Sequence, residues 1–354
     1  MVCRNMEYIY PKDNTYLIGH EKAEKFFLSS FNNKTLHHAF LIDGIKGIGK
    51  ATFAYKIARF LLTADEAKKY TSLNVSENDP VFVQVSNNSH PNFKLIERGY
   101  TETDKKKIIK AIKDGEPIGD DELQNLKKSS VIKVDEVREI NQFLSKKSFD
   151  GSWRVVLVDS VDDLNQAGSN AILKILEEPP AKTVLLLISH NVNKLLPTIR
   201  SRCCKFHLEP LTEANVATLL RRYVPELSEK EVKGLASISQ GSIGQALNYA
   251  SNSGLEIYEG LQSVFCAGER FDLSDALKLI STAVADENTW QLTIDLILKF
   301  LSDMIKSGDK VSELFGLYND VVKQNQEVLN LNMDKRQTML NMFYMIAKAM
   351  SNVG

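Results

Sequence analysis

Gly44, Gly47, Gly49 and Lys50 stand in the run G-I-K-G-I-G-K-A (44–51). This is the spacing of a loop whose backbone N–H groups close around phosphates while the lysine reaches the β- and γ-phosphates. The pattern G-x-x-x-x-G-K-[ST] is met at every required position except the last, where Ala51 replaces the hydroxyl that would hold Mg²⁺. Thr52 does not substitute for it, because one step along a helix turns the side chain by roughly 100°. Lys50 at a helix start argues for an anion-binding origin, since a cation there is unfavourable with no anion nearby. A second element, R-V-V-L-V-D-S-V-D-D-L-N (154–165), is an apolar strand ending in Asp159, placed to hold a metal through water. Hydrolysis needs a carboxylate beside it to orient the attacking water, and the neighbour is Ser160, a poor base at neutral pH. Together these losses imply a nucleotide fold kept for some purpose other than turnover.

The elements that must position these residues alternate. Short apolar runs at 39–42, 93–97, 155–159, 184–189 and 204–208 predict strands buried on both faces of a mostly parallel sheet, with helices over 49–62, 134–147 and 166–176. This is an α/β layer extending to about residue 209. Residues 101–130 interrupt it with a run of mixed charge. Lys105, Lys106, Lys107, Lys127 and Lys128 could form a DNA-contacting arm, but seven acidic residues in the same stretch blunt the field and favour a solvated insertion. After Pro210 the pattern is helical throughout. Three short helices over 210–253 predict a small lid-type domain, and long amphipathic stretches over 254–354 predict a helical bundle.

At 354 residues the chain is too long for one ordinary core. Its 44 basic and 45 acidic side chains leave a net charge of −1, which announces neither a nucleic-acid nor a membrane surface. No apolar run approaches a membrane span and no secretory leader is visible at the N-terminus, so the cytoplasm is the expected location. The four cysteines, Cys3, Cys203, Cys204 and Cys266, have no metal-ligand spacing, and reduced thiols without zinc are expected. His37 and His38 are read as packing ahead of the first strand and His90 as setting up the second, not as ligands.

Two further elements, N-A-I-L-K-I-L-E-E-P-P (170–180) and L-P-T-I-R-S-R-C (196–203), make a resemblance specific. Together with H-H-A-F-L-I-D-G-x-x-G-I-G-K, V-D-E-V-R-E-I and W-R-V-V-L-V-D, in this order, they resemble the bacterial DNA polymerase III clamp loader over most of residues 18–210. The resemblance implies an AAA+ P-loop domain (1–209), a helical lid (210–253) and a collar domain (254–354) that joins a ring. In that family the gamma/tau subunits are ATPase motors, whereas the delta prime type has a similar fold without the catalytic parts.

Three positions place this chain with the non-motor type: Ala51, Ser160, and Gly244, the last standing where the motors carry a phosphate-sensing arginine. The resemblance further implies that Arg202, rather than Arg200, is an arginine finger reaching ATP bound in a neighbouring gamma subunit. It implies gamma/tau and delta as partners, with the sliding clamp and primed DNA reached through the complex. No cofactor is required, although ATP or ADP could sit in the degenerate loop of Gly44, Gly47, Gly49, Lys50 and Asp159. The four-cysteine zinc module of many relatives has no counterpart in residues 62–92. An alternative keeps the chain as an active gamma/tau-like or helicase-loader ATPase, with water or Asp162 doing the missing work.

Overall fold

The computed structural model describes residues 10–114, 126–145, 151–266, 273–308, 311–331 and 333–351. The chain divides into two compact units, 8–211 and 212–354.

In the first unit the five apolar runs are strands: β1 (Ala39–Asp43), β2 (Phe93–Glu97), β3 (Arg154–Asp159), β4 (Thr183–Ser189) and β5 (Cys204–His207). All pair in parallel in the order β2-β3-β4-β1-β5. Parallel strands need crossovers, and the helices that supply them cover both faces, which is why the inner strands β1, β3 and β4 are apolar without alternation. The edge strands β2 and β5, expected to be buried on both faces, are only partly so, with Glu97, Lys205 and His207 exposed because an edge is covered on fewer sides. One face packs Phe40 and Ile42 with Phe53, Leu157, Leu186 and Phe206, and the Phe40 and Phe206 rings stack at 5.0 Å. The other packs Ala39 and Leu41 with Val156, Val158, Ile172, Leu187 and Ile199. Two-sided burial of this kind fixes the register, because a one-residue slip would exchange the two sets.

The helix Lys50–Thr63 follows β1 directly, and the helices Val134–Ser145 and Gln166–Glu177 flank β3. Asn165 caps Gln166–Glu177 by accepting from Gly168 N at 2.7 Å. The expected helix over 134–147 is described to Ser145, and its last two residues lie outside the described range. The histidines pack as expected. His37 and His38 stack at 4.4 Å and His38 Nε2 bonds to Leu176 O, while His90 Nδ1 accepts from Asn92 N just before β2.

Within the insertion, residues 102–114 form a helix, and 115–125 lie outside the described residues. This helix is anchored rather than free. Asp104 is buried and accepts from Lys127 N, Thr101 Oγ1 and Lys107 Nζ. Lys105 pairs with Glu136 and Lys128 with Glu97, so two of the lysines suggested for a DNA arm tie the insertion to the β2 edge.

The second unit is helical. Glu213–Tyr223, Glu229–Ile238 and Ile243–Ser251 are capped by Thr212, Ser228 and Ser242, the middle one with a complete Ser228/Glu231 capping box. Longer helices follow at Gly254–Cys266, Leu273–Ala283, Glu287–Ser307, Val311–Leu331 and Lys335–Ser351. Trp290 is fully buried among them, donating Nε1–H to Asn325 Oδ1 at 2.8 Å, and the Phe265 ring lies 5.4 Å from that of Phe300 and 5.0 Å from that of Phe343. No helix among the described residues is long and apolar enough to cross a membrane.

Candidate functional site: a closed phosphate loop and an exposed arginine

In open parallel sheets, ligands bind beyond the carboxyl ends of the strands, where the strand order reverses. Here β1 is flanked by β4 and β5, and the register brings Asp43 beside Ser189 and His207 at that edge. The loop after β1 runs through Gly44, Gly47 and Gly49 at φ of +144°, +82° and +102°, a left-handed path that favours glycine. Space demands it too. A Cβ on Gly44 would lie 2.5 Å from Leu208 O, and one on Gly49 would lie 2.9 Å from Leu17 Cδ1. His20, itself buried, fastens the loop from the other side through Nε2 and Ile48 O at 2.7 Å.

Lys50 opens the helix with only 4% of its surface exposed. Its ammonium donates to Gly44 O and Ile45 O, each at 2.6 Å, so the lysine that should meet a phosphate is held by its own loop. Burial lowers its pKa to about 8, and Asp159, Asp162 and Asp43 oppose that shift. The next position offers no oxygen to a metal. Ala51 packs against the core, and Thr52 points into it, buried.

Asp159 ends β3 with its carboxyl pushed above the usual range by burial and then by Glu97, its register partner on β2, with Lys50 opposing. Ser160 is buried, and its Oγ donates to Asp163 Oδ2 at 3.3 Å. Asp163 also pairs with Arg98. Asp162, the residue that might have replaced the missing base, is engaged elsewhere. It accepts from Ser189 Oγ at 2.8 Å, from His190 N and from Asn191 N, and so caps the end of β4. The magnesium-dependent nucleotide chemistry of a working loop therefore does not fit the residues present. There is no hydroxyl at 51, no carboxylate at 160, and the lysine's ammonium already donates to its own loop.

Arg202 lies on the same unit, capping the short helix Pro197–Ser201 through its N–H to Ile199 O. The side chain is 36% exposed, with Nη2 2.8 Å from Glu177 Oε1 and Nη1 donating to Thr198 O at 3.1 Å. Arg200, the rival position, has its Nε buried without a hydrogen-bond partner. Cys203 beside it is buried enough to push its thiol up to about 12, so it is no nucleophile. Gly244 belongs to the second unit, exposed in the first turn of Ile243–Ser251.

The structure also gives contacts to residues for which the motifs assigned no role: His20 on the loop, Glu177 on Arg202, and a pair between His207 Nδ1 and Asp43 Oδ2 at 2.6 Å that raises the His207 pKa. Among the described residues no group of three or more His, Cys, Asp or Glu is arranged to hold a metal ion.

This arrangement of strands, loop and arginine has known counterparts. Residues 19–212 match the family model described as DNA polymerase III, delta subunit. The chain belongs to that family. It is a clamp-loader subunit of AAA+ type.

The DNA polymerase III subunit delta′ of Escherichia coli K12 is 30% identical over 211 residues, covering 60% of this chain and 54% of that protein. Subunit tau/gamma of Haemophilus influenzae is 28% identical over 242 residues, covering 67% of this chain and 30% of that one. The matches thus span from about a third to just over half the length of the curated relatives. Among solved structures, a gamma-subunit-related protein of Thermotoga maritima aligns over 92% of this chain with a TM-score of 0.41 and 15% identity.

Proposed function

We propose that this chain is the non-motor, delta prime-type subunit of a DNA polymerase III clamp loader. In this reading it holds gamma/tau ATPases beside a delta subunit, supplies Arg202 to ATP bound in a neighbouring gamma/tau subunit, and so helps place a sliding clamp on primed DNA. The observation that carries the reading is the contrast between two cations. Lys50 is buried on its own loop with Ala51 and Ser160 beside it, while Arg202 stands half-exposed at the end of a short helix. An arginine that reaches a transferring phosphoryl group stabilises charge that develops in the transition state and is worth on the order of 10³ in rate. It does so without any machinery of its own subunit.

The lid (210–253) and the collar (254–354) belong to the same proposal. Exposed Phe315, Leu329, Leu331 and Tyr344 on the last two helices are the apolar side chains that a ring of collars would cover. The chain's own loop turns over no nucleotide, and ATP or ADP held there without magnesium is the weaker variant of this reading.

Similarity to tau/gamma over two thirds of the chain favours a second reading, an active ATPase. It needs a base near Asp159, and Asp162, the carboxylate it would recruit, is committed to the end of β4. The test is ATP turnover by a loader reconstituted from gamma/tau, delta and this chain, compared with this chain alone. No turnover alone and a loss of at least ~10³-fold in the affected site on Arg202→Ala supports the non-motor reading. Turnover by the isolated chain that disappears with Lys50→Ala overturns it.

A further inference from the structure

Glu177 occupies an unexpected place. It is the last residue of the helix Gln166–Glu177 and is followed by Glu178, so two carboxylates sit at the negative end of the helix dipole, with Lys174 the one basic residue in the last turn. Local physics disfavours this arrangement, since acids stabilise the first turn and destabilise the last. What Glu177 does instead is tertiary. Its Oε1 lies 2.8 Å from Arg202 Nη2, while Arg202 Nη1 donates to Thr198 O in the helix Pro197–Ser201, a carbonyl that also accepts from Ser201 Oγ. A break in local preference that ends on a single charged partner is where a functional constraint is expected.

We propose that Glu177 is a positioning residue that restrains Arg202, parking its guanidinium on its own chain until a neighbouring subunit's ATP draws it out. The inference rests on the finger role proposed above for Arg202. Both contacts are made within the chain itself. To reach a phosphoryl group the guanidinium exchanges at least the carboxylate for phosphate oxygens. A contact stronger in the ground state than in the transition state slows the step it precedes. The pair is half-exposed, 36% for the arginine side chain and 50% for the glutamate, so it is screened and weak enough to be exchanged. Glu177 thereby sets a threshold. The arginine is held on its own chain when no triphosphate faces it and is released when one does.

The experiment is ATP turnover by the reconstituted assembly carrying Glu177→Gln, Glu177→Asp, Arg202→Ala or the double change Glu177→Gln/Arg202→Ala. Glu177→Gln keeps the shape and removes the charge, and kcat/KM for ATP is expected to rise about two- to five-fold, the range set by an exposed ion pair. Glu177→Asp keeps the charge and stays near wild type. In the Arg202→Ala background Glu177→Gln has no effect, because the restrained group is gone. If Arg202→Ala cuts turnover but Glu177→Gln leaves it unchanged or lowers it, the restraint is overturned and the finger stands. If Glu177→Gln has the same effect with and without Arg202, the carboxylate acts through something else and the restraint is likewise overturned. If Arg202→Ala leaves turnover intact, the finger reading itself fails.

Discussion

Lys50 and Arg202 are cations of similar reach on the same α/β unit, and their surroundings could hardly differ more. Lys50 is 4% exposed, donates to two carbonyls of its own loop at 2.6 Å, and its pKa is lowered by burial. Arg202 is half-exposed, and its one carboxylate partner is exposed in turn. A buried cation with fixed acceptors is part of the fold, because removing it strands those acceptors without water. An exposed pair adds little to stability and can be traded for another anion. The comparison teaches that two cations of one α/β unit can be put to opposite uses, the lysine turned inward onto its own loop and the arginine left outside the core, where the proposed service to a neighbour would need it.

Several substitutions break or sharpen that contrast. The largest effect is expected from Arg202→Ala, which lowers ATP turnover in the site that Arg202 is proposed to serve by on the order of 10³-fold. The same change shifts the chain's own stability by less than about 0.5 kcal/mol, as read by denaturant melts.

Gly44→Ala does the opposite. Its Cβ would meet a backbone carbonyl at 2.5 Å with φ at +144°, so a loss of about 2–4 kcal/mol is expected in the same melts.

Lys50→Met follows at about 1–3 kcal/mol, because Gly44 O and Ile45 O lose their donor. Its pH dependence is the sharper signature. The folded pKa near 8 lies below the unfolded lysine value of about 10.4. Between those values the unfolded chain binds more protons than the folded one, so stability rises with pH across the window. Wild type should show this rise and Lys50→Met should lack it.

Asp159→Asn is expected to raise stability by about 0.5–1 kcal/mol, since burial and Glu97 both disfavour its charge. In a site that holds magnesium the same change would abolish turnover instead.

Much of this was legible in the sequence. The strands β3 and β4 are short, apolar and rich in Val, Leu and Ile, and their two-sided burial leaves them no other reading. Asn165 and the proline pair at 179–180 mark both ends of the helix that carries Glu177. The glycines and Lys50 announced the loop, and the missing oxygens at 51 and 160 were visible as residue types.

What the sequence could not show was the use to which the survivors are put. The turning of Lys50 onto Gly44 and Ile45 depends on backbone geometry that no motif records. Asp162 reaches residues 27 or more positions away, and Asp43 meets His207 across 164. Such contacts follow from strand order, which periodicity does not reveal. The anchoring of the insertion is hidden for the same reason. Its described helix is mostly exposed, in keeping with a solvated run, yet Asp104 is buried and Lys105 and Lys128 are tied to Glu136 and Glu97.

The most direct test of the account is a side-by-side measurement of steady-state ATP turnover in loaders assembled with Lys50→Met or with Arg202→Ala, each verified as folded by circular dichroism. The account predicts turnover close to wild type with Lys50→Met and a loss on the order of 10³-fold in the site served by Arg202→Ala. The reverse pattern, with Lys50 essential and Arg202 dispensable, would contradict it and make this chain a motor.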